Sequence, residues 1–166
     1  MSNPTSDQST LWDMIKDIRF GMFTYKTSRG LLRSLPLTTQ NKSLDEGRVL
    51  YFFISASSEL ARELQPGDQV NAAFADPDSD SYVSVSGQAR TSRNPARVEQ
   101  LWSAPAKAWF KDGPADPDLL LLEIDIQQAE YWDVKDAKLT QLFKMAASAV
   151  TGNPPDMTEH KKVNVS

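Results

Sequence analysis

Apolar and polar side chains alternate along this chain with a period that changes several times, and each change marks an element. Leu11, Met14, Ile15 and Ile18 share one helical face, and Thr10 followed by Asp13 has the form of a capping box. This predicts a short helix over about Thr10 to Asp17. The period then drops to two. Ile18, Phe20, Met22 and Thr24 alternate with Arg19, Gly21, Phe23 and Tyr25, which reads as a strand with two usable faces. Thr27 to Gly30 supply turn residues, and Leu31 to Thr39 predict a second strand. Pro36 has no N–H for a ladder, so that strand belongs at an edge or is bulged there.

Arg48 to Ser55, rich in aromatic and β-branched residues, is the strongest strand signal. Ser57 and Ser58 then cap a short helix, Glu59 to Leu64, which Pro66-Gly67 ends. Gln69 to Ala75 and Tyr82 to Arg90 predict a hairpin around the polar turn Asp76 to Asp80, with Gly87 permitting a bulge. Asn94-Pro95 starts a helix lined by Val98, Leu101 and Trp102. Ala106 to Phe110 predict a further turn of helix, and Leu119 to Val134 a long strand. Asp136 to Val150 read as a last helix with Leu139, Leu142, Phe143, Ala146 and Val150 on one side, stopped by Gly152. Five or six mainly antiparallel strands with short helical connectors predict a closed or half-closed barrel. The expected layout is a flexible segment over 1–9, the barrel over 10–152 and a polar tail over 153–166.

Composition narrows the function classes. The 166 residues carry 22 acidic against 18 basic side chains, a net charge of −4, which argues against nucleic acid as a partner. With no cysteine there is no thiolate nucleophile, disulfide or cysteine-held metal. Met1 to Gln8 is polar with no signal-peptide pattern, and the longest apolar run, Leu119 to Leu122, is far short of a membrane span. A cytoplasmic, membrane-free protein is expected.

Candidate chemistry is sparse. The one histidine, His160, lies in the expected tail beside Lys161 and Lys162, a poor place for a catalytic base. Asp76, Asp78 and Asp80 have the opening spacing of an EF-hand, but Ser81 and Gly87 stand where glycine and glutamate are required, so a solvated turn is expected. Glu123 and Asp125 share a strand face, as either an acid–base pair or solvent-facing charges. No glycine-rich phosphate loop exists. Arg33, Ser57 and Ser58 could hold a phosphate through a guanidinium and hydroxyls at a helix start. A solvent-facing arginine and plain helix capping are the other readings of the same residues.

Read in order, FGMFTY from Phe20, RSLPL from Arg33, YFFIS from Tyr51 and YVSVSGQA from Tyr82 form a series. It continues with EQLWSAPAKAWFKDGPADPDL from Glu99, AEYWD from Ala129 and EHKKVNV near the end. The series resembles the general stress protein 26 group of the pyridoxamine 5'-phosphate oxidase-like flavin-binding split barrels. The resemblance implies a mainly β fold, a six-stranded antiparallel split barrel with peripheral helices. It also implies a homodimer holding two flavins at its interface, with flavin mononucleotide (FMN) the expected cofactor and the dinucleotide (FAD) the alternative.

Carried over residue by residue, the resemblance gives Arg33 and Ser58 to the flavin phosphate, and Ser34 and Leu35 to the border of the isoalloxazine ring. Phe53 and Ile54 would lie beside the ring or ribityl chain, Trp132 would reach the flavin, and Trp109 would approach a partner's flavin. Trp102, Trp109 and Phe110 read equally as core or as dimer anchors, the family pattern favouring the latter. Two departures stand out. Where the family reads Ser-x-Lys, this chain has Ser58-Glu59-Leu60, which removes a phosphate-holding cation at Leu60. The stretch Val134 to Leu139 lacks the Arg-x-His-x-Arg motif of true pyridoxamine phosphate oxidases, so vitamin B6 oxidation is not expected. The implied function is an FMN-binding stress-type protein, with a low-specificity flavin-dependent oxidoreductase as one form it could take and no residue named as catalytic. The alternative is a non-catalytic flavin carrier or a ligand-free interaction module.

Overall fold

A computed structural model describes residues 4–43, 48–134, 138–153 and 158–163. Its strands are β1 (Phe20–Lys26), β2 (Leu32–Thr38), β3 (Val49–Ser55), β4 (Asp68–Asp76), β5 (Ser81–Ser92), β6 (Leu119–Val134) and β7 (Thr158–Val163). The helices are α1 (Pro4–Ile18), α2 (Glu59–Glu63), α3 (Pro95–Leu101) and α4 (Lys138–Thr151). Six strands run antiparallel in the order β2-β1-β4-β5-β6-β3, curling into a half-barrel, while β7 adds to β6. The expected split barrel is the observed one. Among the described residues no helix is long and apolar enough to cross a membrane.

Two strand features follow the sequence closely. Pro36 lies on β2, the first strand of the sheet path, opposite Met22, so its missing donor disrupts no central ladder. Gly87 sits where the β5–β6 register shifts. A Cβ there would lie 2.1 Å from the backbone oxygen of Asp125, so only glycine lets the two strands approach. The long β6 can therefore bend, pairing with β3 through Leu119–Asp125 and with β7 through Ala129–Val134.

The main core lies inside the curl. Phe23, Phe52, Phe74, Leu50, Val83, Val85, Leu122, Ile124 and Tyr131 are all buried there, and Leu11 and Ile15 of α1 close one end. A second cluster covers the other face of β3 and β6. In it Val49, Tyr51, Leu119 and Leu121 pack against Val98 and Leu101 of α3 and against Phe110. β3 is thus apolar on both faces, which is why its signal was a continuous run rather than an alternation.

Four sequence expectations need correction. α1 begins at Pro4 rather than Thr10, so the helix takes in residues 4–9. Proline suits a first helical turn, and the Tyr131 hydroxyl donates to Asp7 (3.4 Å), tying that turn to the barrel. Part of the expected tail is β7, whose Val163 is buried, so His160 lies in a paired strand. Glu123 is buried and bonded to Arg90 at 2.6 Å, so it is not a solvent-facing charge like Asp125. In α4, Ala146 and Val150 are exposed, so among the described residues this end of the expected apolar face is not covered. Residues 135–137, and with them half of the stretch compared with the Arg-x-His-x-Arg motif, lie outside the described residues.

Candidate flavin site

β2 and α2 meet at the rim of the barrel. Arg33 pairs in register with Tyr25 of β1, and Ser34 with Thr24. The Ser34 and Thr24 hydroxyls lie 2.6 Å apart. Ser58 is the N-cap of α2: its hydroxyl accepts from the Ala61 N–H (3.2 Å) and donates to the Ser55 carbonyl (2.6 Å). Behind it Asp118 accepts from the Ser55 hydroxyl (2.5 Å) and the Ser57 N–H (3.0 Å). The Ser55 hydroxyl, chiefly, holds the Asp118 carboxyl below the usual carboxylate range. The turn before α2 is therefore fixed from the start of β6, which the sequence signalled only as the end of the DGPADPDL run.

Arg33, Ser34, Leu35 and Ser58 line one cavity of about 120 Å³, together with Tyr25, Glu59 and Leu60. Four residues assigned to the flavin by resemblance are thus brought together, and Leu60 joins them. Leu60 is also buried in the main core, so it contributes an apolar wall. Glu59, beside it, is exposed and bonds Arg33 directly: Nη1 to Oε2 is 2.5 Å. This hydrogen bond, then the Glu59 charge, raises the arginine pKa above its ordinary value. The neighbouring Glu63 is committed elsewhere, accepting from the Ser28 N–H at 2.6 Å, which holds its carboxyl below the usual range.

The donor set suits a single phosphate. A planar guanidinium reaches the cavity, beside the Ser34 hydroxyl. The space does not suit a whole flavin, since pockets that enclose ligands of that size are about 300–1,000 Å³. The cavity has room for a phosphate group but not for a flavin ring as well.

Other expected residues fall elsewhere. Phe53 and Ile54 point to opposite faces of β3. Ile54 is in the main core, while Phe53 stacks on Trp102 (6.0 Å between centroids) and meets Phe110 edge-on (6.4 Å). Trp102 and Phe110 are therefore core. Trp109 is 83% exposed and separate from them. Trp132, near the far end of β6, stacks on His160 and does not line the Arg33 cavity.

One end of the outer sheet face is apolar and is left exposed by the described residues. Met22 lies between Pro36 and Ala73, and Ala75 pairs with Tyr82, which pairs with Trp132. Phe20, Met22, Pro36, Ala73, Ala75 and Tyr82 are all exposed on it. Ser34 belongs both to this face and to the cavity.

Comparison with known proteins agrees with this architecture. The model of the family described as pyridoxamine 5'-phosphate oxidase like matches residues 6–156. The chain belongs to that family. It is 31% identical to a general stress family protein of Xanthomonas campestris pv. campestris, with TM-score 0.72 over 82% of this chain and 93% of that one. It is 30% identical to the general stress FMN/FAD binding protein of Xanthomonas citri, with TM-score 0.70 over 80% and 92%. A protein of Jannaschia sp. CCS1 described as a general stress protein 26 shares the fold at 24% identity, with TM-score 0.75 over 96% and 99%. The family match ends at residue 156, before β7 begins.

Proposed function

We propose that this chain is a flavin-binding stress-type protein. It would seat the phosphate of FMN at Arg33 and act as a homodimer in which a second copy covers the ring. The observation that carries the reading is the convergence of Arg33, Ser34, Leu35 and Ser58 on one cavity. Family membership and the FMN/FAD-binding relative of Xanthomonas citri support it.

Arg33 would grip phosphate oxygens with its guanidinium as Glu59 gives way. The backbone of Ser34 and Leu35 would border the ring, and Leu60 and Tyr25 would exclude water from the phosphate end. Flavin, when bound, supplies hydride or electron transfer. No side chain here is assigned as an acid or base for that chemistry. The small cavity and the uncovered apolar face support the dimer, because a second copy would bury Phe20, Met22 and Tyr82 and complete a wall for the ring. The exposure of Trp109 supports its approach to a partner's flavin.

A second reading is a flavin carrier or ligand-free interaction module, favoured by the engaged state of Arg33. Titration with FMN, followed by flavin fluorescence, separates the two. Saturable quenching that Arg33→Ala weakens at least tenfold is expected, and its absence would remove the flavin reading. Turnover with reduced nicotinamide cofactors would then divide oxidoreductase from carrier.

A further inference from the structure

The lining of the cavity contains one cation, Arg33, and one anion, Glu59, bonded to each other. A phosphomonoester arrives at a site with no net charge of its own, and Glu63 adds a further negative field at Arg33. The Ser58 hydroxyl is already engaged at both ends, by Ser55 and Ala61. A phosphate therefore has to compete with a resident carboxylate for the guanidinium, and stays beside that carboxylate once it has won.

We propose that Glu59 is a specificity-determining residue, an internal counter-ion that suppresses the advantage of a phosphorylated flavin over an unphosphorylated one. The inference rests on the flavin reading above. Two ligands that share the same ring and ribityl chain, FMN and riboflavin, differ only in the group that meets this ion pair. In the wild type the two bind with similar affinity, because the phosphate gains a guanidinium only by displacing its partner. The carboxylate is half exposed, so it can swing into solvent, and an exposed pair of this kind is weak enough to be displaced rather than a permanent block.

The test is equilibrium binding of FMN and of riboflavin to the full chain and its Glu59→Gln variant. Glutamine keeps the length of the side chain at a solvent-facing position of α2, so folding is not at stake. The ratio of the riboflavin to the FMN dissociation constant is expected to rise about fivefold in Glu59→Gln, with riboflavin binding little changed. A control, Glu63→Gln, removes a charge near Arg33 that does not line the cavity, and should move the ratio much less. An unchanged ratio in Glu59→Gln, or an equal rise in both variants, overturns the counter-ion while leaving the flavin reading intact. Failure of either protein to bind either flavin overturns the flavin reading itself, and the counter-ion with it.

Discussion

The rings of Trp132 and His160 lie face to face, with centroids 4.7 Å apart and planes within 4° of parallel. They are register partners on β6 and β7. Glu130 reaches the same histidine at 3.0 Å, Lys162 at 3.7 Å, and Gln128 at 2.8 Å. The short β7 is thus held by a stacked pair and a shared carboxylate, as well as by its ladder.

Glu130 gives this arrangement a pH dependence. Its bond to His160, first, and the Lys162 charge hold the carboxyl below the ordinary value. A depressed carboxyl contributes stability above its unfolded pKa and loses it as pH falls through the lower folded value. Melting temperature should therefore drop as pH is lowered from about 4.3. Glu130→Gln should show a flatter acid limb in thermal melts; parallel limbs would exclude the pair as a contributor.

Gly87→Ala should be poorly tolerated. The added methyl would meet the Asp125 backbone, which cannot rotate away as a side chain can. A cost of about 1–3 kcal/mol is expected from such overpacking, measurable by urea denaturation.

Leu60→Lys should change two quantities in opposite directions. The leucine is only 3% exposed, so replacing it lowers the melting temperature. Its place in the cavity lining gives a snorkelling ammonium access to a phosphate, so FMN affinity should rise. Lower stability without tighter binding would move the phosphate away from α2.

The two tryptophans between α3 and β6 should behave differently. Trp102→Ala removes the stack on Phe53 and should cost about 2 kcal/mol or more. Trp109→Ala should leave unfolding within about 0.5 kcal/mol, as for most exposed positions. Trp109→Ala should instead weaken self-association, read by sedimentation. Met22→Lys, on the uncovered sheet face, should do so more strongly.

Much of the site was legible from sequence because its parts are local. Arg33, Ser34 and Leu35 are consecutive, and Ser58 announced itself as a helix cap. The ion pair was not legible, since Glu59 and Arg33 lie on elements that only β-sheet closure brings together. Nor was the sorting of aromatic residues. Trp102, Trp109 and Phe110 share a composition and a neighbourhood, yet two are core and one projects into solvent.

Period and turn chemistry by themselves determined β1 to β6, confined Pro36 to an edge or a bulge, and marked Gly87 as a place for a bulge or a close approach. Those signals depend on which backbone angles and donors a residue offers its neighbours. Only the tertiary structure decided that the C-terminal residues 158–163 form a strand, that Glu123 is buried beside Arg90, and that α1 starts at Pro4. Each of these depends on a partner distant in sequence: β6 for the strand, Arg90 for the carboxylate and Tyr131 for the helix. A polar segment shows no periodic signal when its order comes from the surface it pairs with.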